Sequence, residues 1–195
     1  MTSSTGVLRD LADIRVGYQA RAGVQGDPAG LFELVRAQDF DHAGNLVGPK
    51  LRFDPLYRPD KYLIFEGDIL LLARGKAHPA YLIEAMPTTD IASSTFYIIR
   101  PIKSKNLTSA YLAWWLNQAV AQSYFKEHRG TSTLQFISIA AVELCPVTIP
   151  SENTQLKIAS LISLAKREQN LMAGLAKHKA TLIQEICRKA VMAKS

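Results

Sequence analysis

The run from Ser151 to Lys194 contains no proline and a single glycine, Gly174, and it begins directly after Ile149-Pro150. Proline removes a helix hydrogen bond and clashes with the preceding turn, so an uninterrupted stretch of this length predicts one long helix over residues 151–195. Ser151 or Asn153 can accept from the free amides at its start, and Glu152 lies where the helix dipole favours an anion. At about 1.5 Å per residue such a helix is on the order of 60 Å long, more than the diameter of a domain of about 150 residues. It must project beyond its own globular body or turn back near Gly174.

Leu161, Leu164, Leu171, Leu175 and Leu182 follow alternating three- and four-residue steps, with Glu168, His178 and Glu185 at the intervening positions of the seam. That spacing is the one by which two helices interlock along a coiled coil. Ile158, Ile162, Ala165, Met172, Ala176, Ile183 and Ile186 form a second stripe beside it. Two apolar stripes predict more than one packing neighbour, with Leu161, Leu164, Leu171, Leu175, Leu182 and Ile186 as the candidate partner contacts.

Residues 1–150 change to short β-like runs and shorter helices, which predicts an α+β fold: one globular domain over 1–150 and a long coiled-coil-like helix over 151–195. Leu31 to Arg36, Asp68 to Arg74, Ala80 to Glu84 and Thr95 to Arg100 read as strands. Val7 to Ile14 reads as a short helix. Ser109 to Lys126 reads as a longer one, with Leu112, Trp115, Leu116 and Ala119 at helical spacing, Thr108 or Ser109 as cap and His128-Arg129-Gly130 as stop.

The net charge of +6 invites a nucleic-acid partner, yet residues 1–150 hold 15 Lys/Arg against 14 Asp/Glu, and residues 151–195 hold 8 against 3. Most of the basic excess is therefore in the helix. The two cysteines, Cys145 and Cys187, form no CxxC and read as small buried apolar residues, with neither a disulfide framework nor a zinc site. Met1 to Thr5 carry no basic side chain of the kind that opens a signal peptide, and no apolar run is long enough to span a bilayer, so a cytoplasmic protein without a membrane partner is expected.

Catalytic signatures are sparse. His42, His78, His128 and His178 are scattered, and there is no HExxH, GxSxG, GxxxxGKS/T or GxGxxG pattern. Asp54-Pro55-Leu56-Tyr57 resembles the Asp-Pro-Pro-Tyr loop of amino-methyltransferases acting on DNA bases, without the glycine-rich pocket and the length of chain that such an enzyme requires. Asp60, Glu66 and Asp68 suggest a nuclease cluster but lack a following Glu-x-Lys, and Phe65-Glu66-Gly67-Asp68 reads more simply as a turn. The expectation is a non-enzyme with no metal and no cofactor of its own.

Three polar segments bracket the apolar elements, where recognition residues usually sit. Val35 to Asp39 offers Arg36 and Gln38; Leu71 to His78 offers Arg74, Lys76 and His78 around Gly75; Arg129 to Gln135 offers Arg129, Thr131, Ser132, Thr133 and Gln135. Arginine pairs with guanine edges and glutamine with adenine, while hydroxyls and lysine suit phosphates, so these ten residues are the candidate DNA contacts.

The order of these segments resembles the specificity subunits of type I restriction-modification systems. The likeness runs through Leu11-Ala12-Asp13-Ile14-Arg15-Val16-Gly17-Tyr18, Val35-Arg36-Ala37-Gln38-Asp39-Phe40 and Lys61-Tyr62-Leu63-Ile64-Phe65-Glu66-Gly67-Asp68-Ile69-Leu70. It continues in Ala73-Arg74-Gly75, Ala110-Tyr111-Leu112, Leu116-Asn117, Gly130-Thr131-Ser132, and Val147-Thr148-Ile149-Pro150 with Gln155 and Ile158. It implies a target-recognition domain that reads one half of a split site in double-stranded DNA, and a long helix that packs antiparallel on a second copy while docking methyltransferase subunits. A restriction subunit is a further implied partner, and the adenosylmethionine belongs to the methyltransferase. Family members carry two recognition domains and two helices, whereas this sequence has one of each, which implies a homodimer or pairing with another specificity chain. Another reading is an interaction or regulatory module that pairs with full specificity subunits without reading DNA.

Overall fold

The computed structural model describes residues 4–19, 23–41, 44–56, 59–85, 89–130 and 135–192. In chain order the strands are β1 (Ser4–Val7), β2 (Ala12–Val16), β3 (Phe32–Val35), β4 (Leu51–Phe53), β5 (Ile69–Leu72), β6 (Ala80–Leu82), β7 (Asp90–Ala92), β8 (Phe96–Pro101) and β9 (Pro146–Ile149). The α-helices are α1 (Ser109–Leu116), α2 (Ala119–His128), α3 (Ile139–Glu143) and α4 (Glu152–Met192). The fold is α+β, short strands and helices followed by one long helix. The chain divides into two compact units, Met1–Ala159 and Ser160–Ser195.

The first unit is organised around an antiparallel sheet in the order β2-β8-β5-β6. Its central strands read Ile69-Leu70-Leu71-Leu72 and Phe96-Tyr97-Ile98-Ile99, continuous apolar runs rather than alternating ones. Such runs belong to a sheet covered on both faces. Successive side chains point to opposite faces. Ile69, Leu71, Tyr97 and Ile99 accordingly meet Tyr111, Leu112, Leu116 and Phe125 of the helices, while Leu70, Phe96 and Ile98 meet Val35, Ile64, Ile83 and Ala92.

A second sheet, β4-β3-β7, has β3 and β4 antiparallel and β3 and β7 parallel. Glu33 and Asp90 are register partners in it, and the Lys50 ammonium lies between their carboxylates. Burial works to lower the Lys50 pKa, but hydrogen bonds to Asp90 and Glu33 outweigh it and raise the value. β1 pairs with β9, joining the start of the domain to the strand that precedes α4.

Two buried polar side chains hold the first unit's connections. Asp68 accepts two 2.6 Å hydrogen bonds from Arg100 and a third from the Phe65 amide, closing the turn in which Gly67 has a φ of +87°. Arg100 also lies 4.8 Å above the Phe65 ring. Gln155, in the first turns of α4, accepts from the Thr108 amide and donates to the carbonyls of Asn106 and Pro150, so the start of α4 is bonded into the loop that caps α1.

Three local expectations are corrected. Val7 to Ile14 is not a helix: it is the end of β1, a 3-10 turn over Leu8–Asp10, and the start of β2. Ser109 to Lys126 is two helices, because the chain turns extended at Gln118 (φ −75°, ψ 154°). The Asn117 side chain bonds both the amide and the carbonyl of Ala80 on β6, and Gln122 donates to the Leu116 and His78 carbonyls, so side-chain bonds to distant backbone replace the missing turn. Cys145 is buried, which pushes its thiol up to about 12, but Cys187 is exposed on α4. The long helix itself passes through Gly174 without a break.

Candidate nucleic-acid interface

A string of hydrogen bonds, backbone to backbone except for one pair of hydroxyls, joins the three polar segments. The Ser93 amide donates to the Val35 carbonyl, and the Ser93 hydroxyl lies 2.6 Å from that of Thr95. The Thr95 carbonyl accepts from Ala73, whose own carbonyl accepts from Ile137. Gly75 donates to the Gln135 carbonyl at 2.9 Å, Arg74 and Phe136 form a β-bridge, and so do Arg129 and Ile137. The Tyr97 hydroxyl, rising from β8, anchors this ladder on the Ile137 carbonyl at 2.8 Å. Gly75 has a φ of +122°, a conformation that a side chain strains, which fits its place at the turn between the two cations.

The residues in these segments play different parts. Arg74 and Lys76 are exposed, and among the described residues no carboxylate pairs with them or with Arg129. Arg129 donates from Nη1 to the Lys76 carbonyl at 3.2 Å, which ties the two cationic loops together and leaves other guanidinium donors for a ligand. The Gln135 Oε1 is buried and without a hydrogen-bond partner. In the first segment Gln38 is exposed at the apex of a 3-10 turn, whereas Arg36 is committed to Asp39 through two side-chain bonds at 2.9 and 3.2 Å. Thr131, Ser132 and Thr133 lie outside the described residues.

His78 is a correction. Its side chain is buried, with Nδ1 donating to the Leu72 carbonyl at 2.8 Å and the ring edge-on to Phe125, so it builds the loop and does not face a ligand. Burial lowers its pKa, and the charge of Arg129 lowers it further against the raising effect of the Leu72 bond. Two residues escaped the sequence reading. Thr95 is the link between the first two segments, and Phe136 is an exposed aromatic between Gln135 and Ile137. Phe136 carried a usable signal, an apolar ring in a polar loop; Thr95, inside a strand-like run, carried none.

A cleft of about 470 Å³ lies just past the ends of the first and second segments, lined by Phe40, Asp41, Gly44, Pro79, Ala80, Tyr81 and Asn117, with Phe40 and Tyr81 stacked at 4.0 Å. Two of the residues weighed for catalysis are engaged elsewhere: Asp54 accepts from the Leu31 amide, and Asp68 holds Arg100. Tyr57 lies outside the described residues. Among the described residues no group of three or more His, Cys, Asp or Glu is arranged to hold a metal ion, and no helix is long and apolar enough to cross a membrane.

The second feature is α4 itself. Leu161, Leu164, Leu171, Leu175, Leu182 and Ile186 are between 58% and 70% exposed, a row of large apolar side chains facing solvent. Such a row is a candidate interaction surface.

The first unit is thus a three-sheet α+β unit with a ladder of cationic loops, and the long helix that follows it carries an exposed leucine seam. The family described as Type I restriction modification DNA specificity domain matches residues 35–176, and the chain belongs to that family. Among solved structures, a type I restriction-modification S subunit from M. genitalium shares the fold with a TM-score of 0.58 at 18% identity, over 88% of this chain and 41% of that one. A chain from a structure addressing complex assembly and conformational transition of the type I R-M system gives 0.64 at 14% identity, over 93% and 43%. The HsdS subunit from Thermoanaerobacter tengcongensis gives 0.55 at 15%, over 86% and 37%. This chain spans about two-fifths of the length of each. No curated protein matches it.

Proposed function

We propose that the protein is a DNA-reading specificity subunit of a type I restriction-modification system, in which one recognition domain reads one half of a bipartite site in double-stranded DNA. The observation that carries this reading is the hydrogen-bonded ladder that brings the loops of Arg74, Lys76 and Arg129 together, none of them paired with a carboxylate among the described residues, with the Gln135 backbone bonded to Gly75 and the segment of Gln38 joined through Val35, Ser93 and Thr95. Cations supply phosphate contacts and bidentate guanine recognition, and amides supply adenine recognition. The near-neutral balance of residues 1–150 suits this division, because a few placed charges, rather than a basic surface, then decide where the duplex docks.

The exposed stripes of α4 serve assembly: one pairs the chain with a second specificity chain, and the other receives methyltransferase subunits, with a restriction subunit joining the complex. Two recognition domains related by a two-fold axis read an interrupted inverted repeat. The chain carries no catalytic site; adenosylmethionine is bound by the methyltransferase, and the complex works in the cytoplasm without a membrane partner.

The test is retention of a random duplex pool on the purified protein, alone and with methyltransferase subunits, at rising salt. A subset of sequences is expected to persist as nonspecific contacts weaken, and Arg74→Ala with Arg129→Ala is expected to abolish that subset while leaving self-association intact. Self-association without any duplex preference, in the presence of the methyltransferase subunits, overturns DNA reading in favour of an interaction module.

A further inference from the structure

We propose that Phe136 determines part of the sequence preference: its ring packs on the 5-methyl group of a thymine in the major groove, within about two base-pair steps of the contact made by Arg74. The proposal rests on the reading of the cationic loops as a DNA-reading surface and names a base that this surface selects.

The backbone fixes where the ring points. Gly75 donates to the Gln135 carbonyl and Ile137 to the Ala73 carbonyl, both at 2.9 Å, and these two bonds flank the bridge between Arg74 and Phe136. Arg74 and Phe136 are therefore a non-hydrogen-bonded antiparallel pair. In such a pair the two Cα atoms are closest, about 4.5 Å apart, and the two side chains stand on the same face. Successive side chains of an extended segment alternate. Ile137 is wholly buried, with its carbonyl held by the Tyr97 hydroxyl, so Phe136 is turned outward and is 46% exposed. The Gln135 Oε1 is buried, so what this rung presents beside Arg74 is the phenyl ring and not the carboxamide oxygen.

The ladder itself does not require an aromatic ring at this position. The bonds of the rung are made by backbone atoms, including the one from the Gly130 amide to the Phe136 carbonyl at 3.0 Å. Gly130 also leaves the ring bare: a Cβ on it would stand 3.8 Å from the ring's Cε1, where a side chain would begin to cover that edge.

A single apolar residue on a surface calls for no explanation by itself. Phe136 differs in being held by backbone bonds on both sides, left uncovered, and set next to an exposed cation that no carboxylate pairs with among the described residues. The guanidinium suits a phosphate or a guanine edge, whereas the ring, with no hydrogen-bonding group, suits an apolar one. In DNA the thymine methyl is the apolar group displayed in the major groove, the groove in which arginine makes its paired bonds to guanine. Cβ atoms of strand partners lie about 4.5–5.5 Å apart and base pairs rise about 3.4 Å each, so ring and guanidinium reach bases one or two steps apart.

The test uses the full chain with methyltransferase subunits and a duplex that they retain from a random pool. Each thymine of the half-site is replaced in turn by deoxyuridine, which removes the methyl group and keeps the base pair. Replacement at one position is expected to weaken binding by the wild type about fourfold, the value of one buried methyl group. The same replacement is expected to change binding by Phe136→Ala less than about twofold, because that variant has already lost the contact. Phe136→Ala that weakens thymine and deoxyuridine duplexes equally, with the wild type's methyl dependence intact, makes the ring a prop of the loop or a wedge between bases, and overturns the proposal. The wild-type series decides even where the variant fails to fold: a half-site without thymine, or one in which no deoxyuridine weakens binding, overturns the proposal and leaves DNA reading standing. A wild type with no duplex preference removes the DNA reading on which the proposal rests.

Discussion

Residues 4–159 and residues 160–192 differ in where their apolar side chains go. In the first unit Leu112, Ile99 and Phe125 are wholly buried between sheet and helices, and the few charges inside are paired, as in Asp68 with Arg100. In the second the leucines of the seam face solvent, on a helix whose excess of charge is basic. A helix draws most of its stability from packing rather than propensity. Hydrophobic content alone does not mark a core: the same residue type closes the first unit on itself and stands exposed along the second.

The largest expected effect separates the two regions directly. Phe125→Ala empties a wholly buried site and is expected to cost about 3–5 kcal/mol, read as a fall in the denaturation midpoint of the whole first unit. Polar replacement of Leu171 and Leu175 together is expected to leave that midpoint unchanged while weakening self-association by about 3 kcal/mol or more, roughly two decades in Kd. Unfolding of the first unit in the leucine variant, seen by circular dichroism and proteolysis, would break the comparison by making the seam part of the core.

An intermediate effect is expected at the buried ion pair. Asp68→Asn keeps the shape but leaves Arg100 without its charge partner: the amide oxygen can still accept one guanidinium bond, while the amide nitrogen, itself a donor, leaves the other without an acceptor. A cost of about 2–3 kcal/mol is expected from denaturant midpoints, below that of breaking a fully buried pair because Arg100 retains some access to water. Glu185→Gln, which removes the exposed pair with Arg188 on the helix, is expected to change stability by less than about 0.5 kcal/mol.

The same contrast explains what was legible in the sequence. The long helix was plain because it depends on local features alone, the absence of breakers and the apolar repeat. The strands Phe32–Val35, Ile69–Leu72, Ala80–Leu82 and Phe96–Pro101 were legible from their apolar composition. Leu8 and Leu11 are spaced like the inner face of a helix, yet a 3-10 turn between two strands buries both. The break after Leu116 is made by Asn117 bonding Ala80, 37 residues away, and no local pattern announces it. The three-residue strands Leu51–Phe53 and Asp90–Ala92 are too short to show a period. For the site, the three segments were visible as polar loops, but which side chains face outward was not. Arg36 and His78 have recognition chemistry by type and are held inward by Asp39 and by Leu72 and Phe125.

His78 provides the smallest and most specific test of that inward role. Its Nε2 is buried without a partner, and a proton there would find no acceptor and would lie in the field of Arg129. The folded-state pKa is therefore depressed below the ordinary 6.5, chiefly by burial. As pH falls through 6.5 the unfolded chain takes up a proton that the folded chain refuses, so the folded state loses stability with acid, and the loss stops growing only once the pH is below the folded-state value. His78→Gln retains an amide donor for the Leu72 carbonyl without the titration. The midpoint of the wild type is expected to fall more steeply than that of His78→Gln between about pH 7.5 and about pH 5.5, other titrating groups being common to both. His178→Gln, on the exposed helix, is expected to leave the first unit's profile unchanged. Equal slopes for wild type and His78→Gln would mean that the imidazole takes up its proton as readily in the folded chain, and would return His78 to the set of residues available to a ligand.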